Sequence, residues 1–189
     1  PDGDQVIVLH GAAWTDFERL LEIKGEQSVP RLAFWEGDLE IMSPSWRHER
    51  VKSWIGSLLD TCAEEMNIEL EPLGSWTVTK APKSAKRRKG AGVEPDECYV
   101  LGAFGPEGPP HDRPDLAIEI VWRSHRMSKL ELYAAIGVPE LWVWRNSVLR
   151  VFTLRDGVYE EVAGSVLLPT LDLPLLLSVL DEPSLNAAR

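Results

Sequence analysis

Cysteine is almost missing from this chain. Cys62 and Cys98 are the only two, too few for a disulfide framework or a cysteine-built zinc site. Both fall in apolar contexts, so buried free thiols in a reducing cytoplasm are expected. Positive charge is also scarce: 20 Lys and Arg stand against 30 Asp and Glu, a formal net charge of −10. That balance excludes a general nucleic-acid coat, which would be basic, but leaves room for an enzyme with a local basic patch. No apolar run reaches the length of a membrane span. The opening Pro1-Asp2-Gly3-Asp4 has neither the basic nor the apolar region of a signal peptide. No membrane partner and a cytoplasmic location are therefore expected. No repeat or linker divides the chain, which predicts one domain over residues 1–180 and a frayed tail over 181–189.

Apolar residues are plentiful at 44%, enough for a real core. Eight Trp are present. Trp14, Trp35, Trp54, Trp122, Trp142 and Trp144 lie in apolar periodic segments and are expected in the core, with one or two free to stack on bases. Thr15 can cap a helix to about Ile23, and Arg31 to Met42 reads as a hairpin over Glu36-Gly37-Asp38. Ser45 can cap a long helix to Met66, with Val51, Ile55, Leu58, Leu59 and Cys62 in its apolar stripe. Strands are predicted over 68–78, 93–100 and 115–122. A helix is predicted over 126–136, stopped by Gly137 and Pro139. Leu141–Trp144 and Val148–Leu154 make a hairpin, 158–162 adds a strand, and 171–180 a short helix. The pattern predicts an α/β domain with a mixed central sheet flanked by helices.

The chemistry concentrates in Asp115-Leu116-Ala117-Ile118-Glu119-Ile120-Val121-Trp122. A carboxylate in the middle of an apolar strand is costly unless it meets a cation, a metal or donors. The preceding strand, Val93-Glu94-Pro95-Asp96-Glu97-Cys98-Tyr99-Val100, carries acids too. Alternation puts Glu94, Asp96 and Cys98 on one face and Asp115, Ala117 and Glu119 on one face of the other strand. If the strands pair, Asp96 and Glu119 can converge on a divalent cation. Hard carboxylates suit Mg²⁺ or Mn²⁺, which bridge to substrate phosphate and activate water. Lys129, on a helix flank with Leu132, Tyr133 and Ile136, is expected to be partly buried near that site.

Four stretches, in order, resemble the Uma2 (DUF820) family of endonucleases within the PD-(D/E)XK nuclease superfamily. They are Glu36-Gly37-Asp38-Leu39-Glu40-Ile41-Met42-Ser43-Pro44 with His48 four residues on; Gly92 to Tyr99; Pro114 to Val121; and Lys129-Leu130-Glu131-Leu132-Tyr133 leading into Gly137-Val138-Pro139-Glu140-Leu141-Trp142. The resemblance implies a restriction-endonuclease-like fold and a metal-dependent endonuclease. Asp96 and Glu119 would be metal ligands, with the Ile120 carbonyl completing the shell. Glu94 would be a possible further ligand. Superfamily members place a lysine two residues after the acid; here that position is Val121, so Lys129 would take the role. Arg145 stands where the family often has Asp. His48 would bind phosphate or activate water. The substrate would be nucleic acid, expected to be DNA, and a homodimer would address both strands of a duplex.

Blander readings stand beside these. Glu119 could pair with Arg123 or Arg126 as a structural acid. Glu94 could be a solvated edge residue, since Pro95 disfavours a central strand. His48 could be a surface or capping residue, and Asp115 a turn residue. The run Lys83–Lys89, with Lys86, Arg87, Arg88 and Lys89, is either a solvated loop or a grip on nucleic-acid phosphates. The rival to an enzyme is a non-catalytic module of the same fold that binds nucleic acid or protein.

Overall fold

The computed structural model describes residues 3–82, 90–122, 127–178 and 180. The basic residues Lys86, Arg87, Arg88 and Lys89, the pairing candidates Arg123 and Arg126, and the tail 181–189 lie outside that set. In order, the elements are β1 (Gln5–His10), α1 (Trp14–Lys24), β2 (Arg31–Trp35), β3 (Asp38–Ser43), α2 (Trp46–Glu65), β4 (Leu70–Pro72), β5 (Val78–Lys80), β6 (Ala91–Val93), β7 (Glu97–Leu101), β8 (Leu116–Ile120), α3 (Lys129–Ile136), β9 (Glu140–Arg145), β10 (Val148–Arg155), β11 (Val158–Val162) and α4 (Leu173–Ser178). Among the described residues no helix is long and apolar enough to cross a membrane.

The fold is α/β with four helices, as the pattern predicts, but its strands divide between two sheets. One runs β1-β3-β2-β6-β5 and the other β11-β10-β9-β8-β7-β4. The second sheet is mixed: β8 is parallel to β9 and antiparallel to β7. Two predicted strands are each split by this division. Residues 68–78 become β4 in one sheet and β5 in the other. Residues 93–100 become β6 and β7, joined by Glu94-Pro95-Asp96 crossing between the sheets. Pro95 cannot donate to a ladder, so the break falls there.

Period-two alternation then sorts the second sheet's faces. Tyr99, Leu116, Ile118, Ile120, Trp142 and Trp144 pack with Ile55 and Leu59 of α2 and Leu173 of α4. Cys98, Ala117 and Leu141 point the other way, toward Leu132, Tyr133 and Ile136 of α3 and toward Ala33 and Val93 of the first sheet. Glu119 alternates onto that inner face. Trp122, expected in the core, is 38% exposed because β8 ends at Ile120.

Local signals set most helix ends. Ser45 caps α2 by accepting the His48 N–H, and Ser128 caps α3 by accepting the Glu131 N–H. Gly137 closes α3 in the left-handed region, φ 95°, where a Cβ is costly. The first helix begins two residues earlier than a Thr15 cap predicts: Ala13 is its cap, and the Asp16 carboxylate accepts the Ala13 N–H at 2.7 Å. β1 escapes sequence reading because its apolar positions do not sink into a core; Ile7 is 59% exposed.

The first sheet is sealed by α1 through Trp14, Phe17 and Phe34. A Cβ on Gly92 would sit 2.4 Å from Phe17 Cε1, so Gly92 is required for this close approach. Gly92→Ala should destabilise the protein by about 1–3 kcal/mol through overpacking. Urea unfolding would read this as a lower midpoint at unchanged slope; an unchanged midpoint would mean that α1 yields.

Candidate active site between the two sheets

Asp96 ends the crossover from the first sheet, one residue before β7. The β7–β8 ladder pairs Glu97 with Ile118, so the next step out sets Asp96 beside Glu119. The contacts agree: Asp96 Oδ2 accepts the Ile120 N–H at 2.6 Å. Its Oδ1 accepts from Arg31 Nη1 of β2 and lies 2.9 Å from His48 Nε2 of α2. His48 Nδ1 lies 2.9 Å from Asp4, just before β1. Arg31 Nη2 also donates to Glu49 at 2.6 Å.

Glu119 meets a different set. Tyr133, one turn after Lys129 on α3, donates its hydroxyl to Glu119 Oε1 at 2.5 Å. Lys129 Nζ stands 3.5 Å from Glu119 Oε2 and 3.4 Å from Glu40 Oε1 of β3. The ammonium thus sits between an acid of each sheet, with its side chain 13% exposed. The sequence predicts this partial burial of Lys129.

The two acids are tuned apart. Burial alone would raise both. At Asp96 the His48 hydrogen bond and the Arg31 charge outweigh burial and hold the carboxyl below its usual range. At Glu119 burial wins: Lys129 opposes it, but Asp96 and Glu40 add to it, and the carboxyl is raised. Burial would lower His48, yet its bonds to Asp4 and Asp96 raise it to about 9. Lys129 is raised as well, since Glu119 and Glu40 outweigh its burial. Asp4, Glu40, Glu49, Asp96 and Glu119 thus face Arg31, His48 and Lys129.

A carboxylate offers about four lone-pair sites. Asp96 uses two on Oδ1 and one on Oδ2, and Glu119 keeps one free on Oε1 beside Tyr133. These residues could hold a hard divalent cation. Among the described residues no group of three or more His, Cys, Asp or Glu forms a ready metal-ligand set. Two carboxylates suit Mg²⁺, which keeps several waters and takes the rest of its shell from substrate.

Two candidate site residues, Glu94 and His48, take other places or roles than expected. Glu94 is not brought to this site: it accepts from Lys24 Nζ, from Thr77 at 3.0 Å and from the Leu32 N–H at 2.8 Å, in a buried pocket of its own. The crossover turns it away from Asp96. His48 is fully buried with both ring nitrogens engaged, so it cannot touch phosphate or activate water; it positions Asp96. Asp115 accepts the Leu101 N–H at 2.9 Å, a turn contact. Sequence reasoning missed Arg31, Glu40, Tyr133 and Asp4. Glu40 and Tyr133 lie inside quoted motifs, one in an apolar strand and one a helical turn from Lys129, which was the signal available.

The family model described as Uma2, "putative restriction endonuclease", matches residues 14–187. The chain belongs to the Uma2 family. No curated protein matches it. A crystal structure of a "putative nuclease belonging to DUF820" from Anabaena variabilis is similar over 84% of this chain and 96% of that one, with a TM-score of 0.56 and 17% identity. That likeness speaks for the Uma2 fold.

His48 generates a pH prediction for the metal-free protein. Its folded pKa of about 9 lies above the unfolded 6.5. The stability it contributes is full below about 6.5 and is lost as pH rises through about 9, roughly 2–4 kcal/mol in all. Urea unfolding in chelator across pH 6–10 should show that fall, and His48→Gln should flatten it. An equal slope in the variant would assign the loss to another group.

Proposed function

We propose that this Uma2 protein is a metal-dependent endonuclease that hydrolyses phosphodiester bonds of nucleic acid, DNA first among the candidates. The observation that carries this reading is the convergence of Asp96 and Glu119 beneath a lysine 3.5 Å from Glu119. Asp96, Glu119 and the Ile120 carbonyl would hold Mg²⁺ or Mn²⁺. A bound ion of that kind supplies charge neutralisation at phosphorus and a more acidic water.

The chain's own residues do the rest. Arg31 and His48 keep Asp96 ionised and fixed. Tyr133 fixes the rotamer of Glu119. Lys129, a permanent cation, reaches a non-bridging phosphate oxygen and stabilises the charge that grows there as water attacks. Water adds to phosphorus and releases a proton to solvent, the bond to the leaving oxygen breaks, and that oxygen takes a proton from solvent; no covalent enzyme intermediate forms. A homodimer would present two such centres to the two strands of a duplex.

The test is cleavage of labelled single- and double-stranded DNA and RNA with Mg²⁺ or Mn²⁺. Lys129→Met should lower kcat by roughly 10²–10³, and Glu119→Gln should abolish turnover. Calorimetry should show Mn²⁺ binding that Glu119→Ala removes. Cleavage that survives Glu119→Gln in a folded protein, or no cleavage of any substrate together with no Mn²⁺ binding, would overturn the reading.

A further inference from the structure

The inner face of the second sheet does not end at Glu119. In the β8–β9 register Glu119 pairs with Val143, and in the β9–β10 register Val143 pairs with Arg150. The three lie on one rung, so Arg150 stands two strand spacings from Glu119, about 10 Å along the sheet. Two rungs on, and so on the same face, Arg145 pairs with Val148, beside Val121, whose N–H bonds the Trp144 carbonyl. Side chains on a rung share a face. Arg145 and Arg150 therefore project on the same side as Glu119.

That face forms the floor of a cleft of about 410 Å³ lined by Lys129, Val121, Val143, Arg145, Arg150 and Phe152 among others. Lys129 thus belongs at once to the acid cluster and to this cleft. The chain carries 30 Asp and Glu against 20 Lys and Arg, yet among the described residues no acid lines the cleft. Arg145 is exposed and takes no carboxylate partner among the described residues. Arg150 reaches only Glu161, at 3.8 Å with both side chains more than half exposed, a pair that solvent screens almost fully. In an acidic protein, a cleft with three cations and an apolar floor fits a polyanion with apolar parts.

We propose that this cleft binds the substrate strand of a nucleic acid. Arg145 and Arg150 hold backbone phosphates beside the one that Lys129 addresses, and Val143 and Phe152 floor the sugar or base between them. The assignment rests on the hydrolytic reading for the identity of the polyanion. Bidentate guanidinium contacts to phosphate oxygens are strong and oriented, and they set where along the strand the reacting phosphate lies.

The test is anisotropy of a fluorescein-labelled oligonucleotide, single-stranded and duplex, with Ca²⁺ in place of Mg²⁺. Reversing both charges, Arg145→Glu with Arg150→Glu, should weaken binding at least tenfold at low salt. It should also lower the slope of log K against log salt by about two. The neutral pair, Arg145→Gln with Arg150→Gln, should fall between. Calorimetric Mn²⁺ affinity should not change, which certifies an intact acid site. No oligonucleotide binding by wild type, equal binding by the reversed variant, or displacement by polyglutamate as readily as by unlabelled oligonucleotide would overturn the assignment. An oligonucleotide held through both arginines but never cut would sink the hydrolytic reading and leave the cleft. Wild-type cleavage by the reversed variant at low substrate would do the opposite.

Discussion

Everything in this fold is arranged around the need to bury acids between two sheets. A carboxylate taken out of water without partners is among the costliest groups a protein can hold. Asp96, Glu119 and Glu40 are 1–3% exposed. The cations that make this tolerable come from separate elements: Arg31 from β2, His48 from α2, Lys129 from α3. Lys129 touches one acid of each sheet and Arg31 reaches from the first sheet to the crossover, so the sheets are joined by charge as well as by their shared core. An apolar cluster of the same volume would often be as stable or more so. The buried charge is the feature on which the proposed site rests.

Much of that site was legible in the sequence because its main members break the pattern around them. Glu119 is an acid in a run of Leu, Ala and Ile, and Lys129 is a cation on the inward flank of an apolar helix. Both stand out against periodicity. Arg31, Glu40 and Tyr133 do not, since each sits at a strand start, in a hairpin or on a helix where its residue type is ordinary. Their roles come from register between strands far apart in the chain, which no local window holds.

The misreading of residues 93–100 has the same origin. Alternation places Glu94 and Asp96 on one face only while the strand stays regular. The crossover at Pro95 ends that regularity, sending Glu94 to Lys24 and Asp96 to Arg31. A single proline thus decides which of two acids belongs to the site. The division of the strands into two sheets was illegible for a related reason: the split segments are three residues long in β4, β5 and β6, too short for any periodicity to register.

The one parallel pair among the described residues, β8 with β9, has a consequence of its own. Parallel neighbours need a crossover, and here the crossover carries α3, which returns its first residue to the end of β8 where Glu119 lies. The ammonium is thus supplied from above the sheet and not from the strand. Position 121 is a buried valine that forms part of the cleft wall. Lys129 and the wall residue Val121 are thus carried by different segments. Selection can recarve one without redrawing the other.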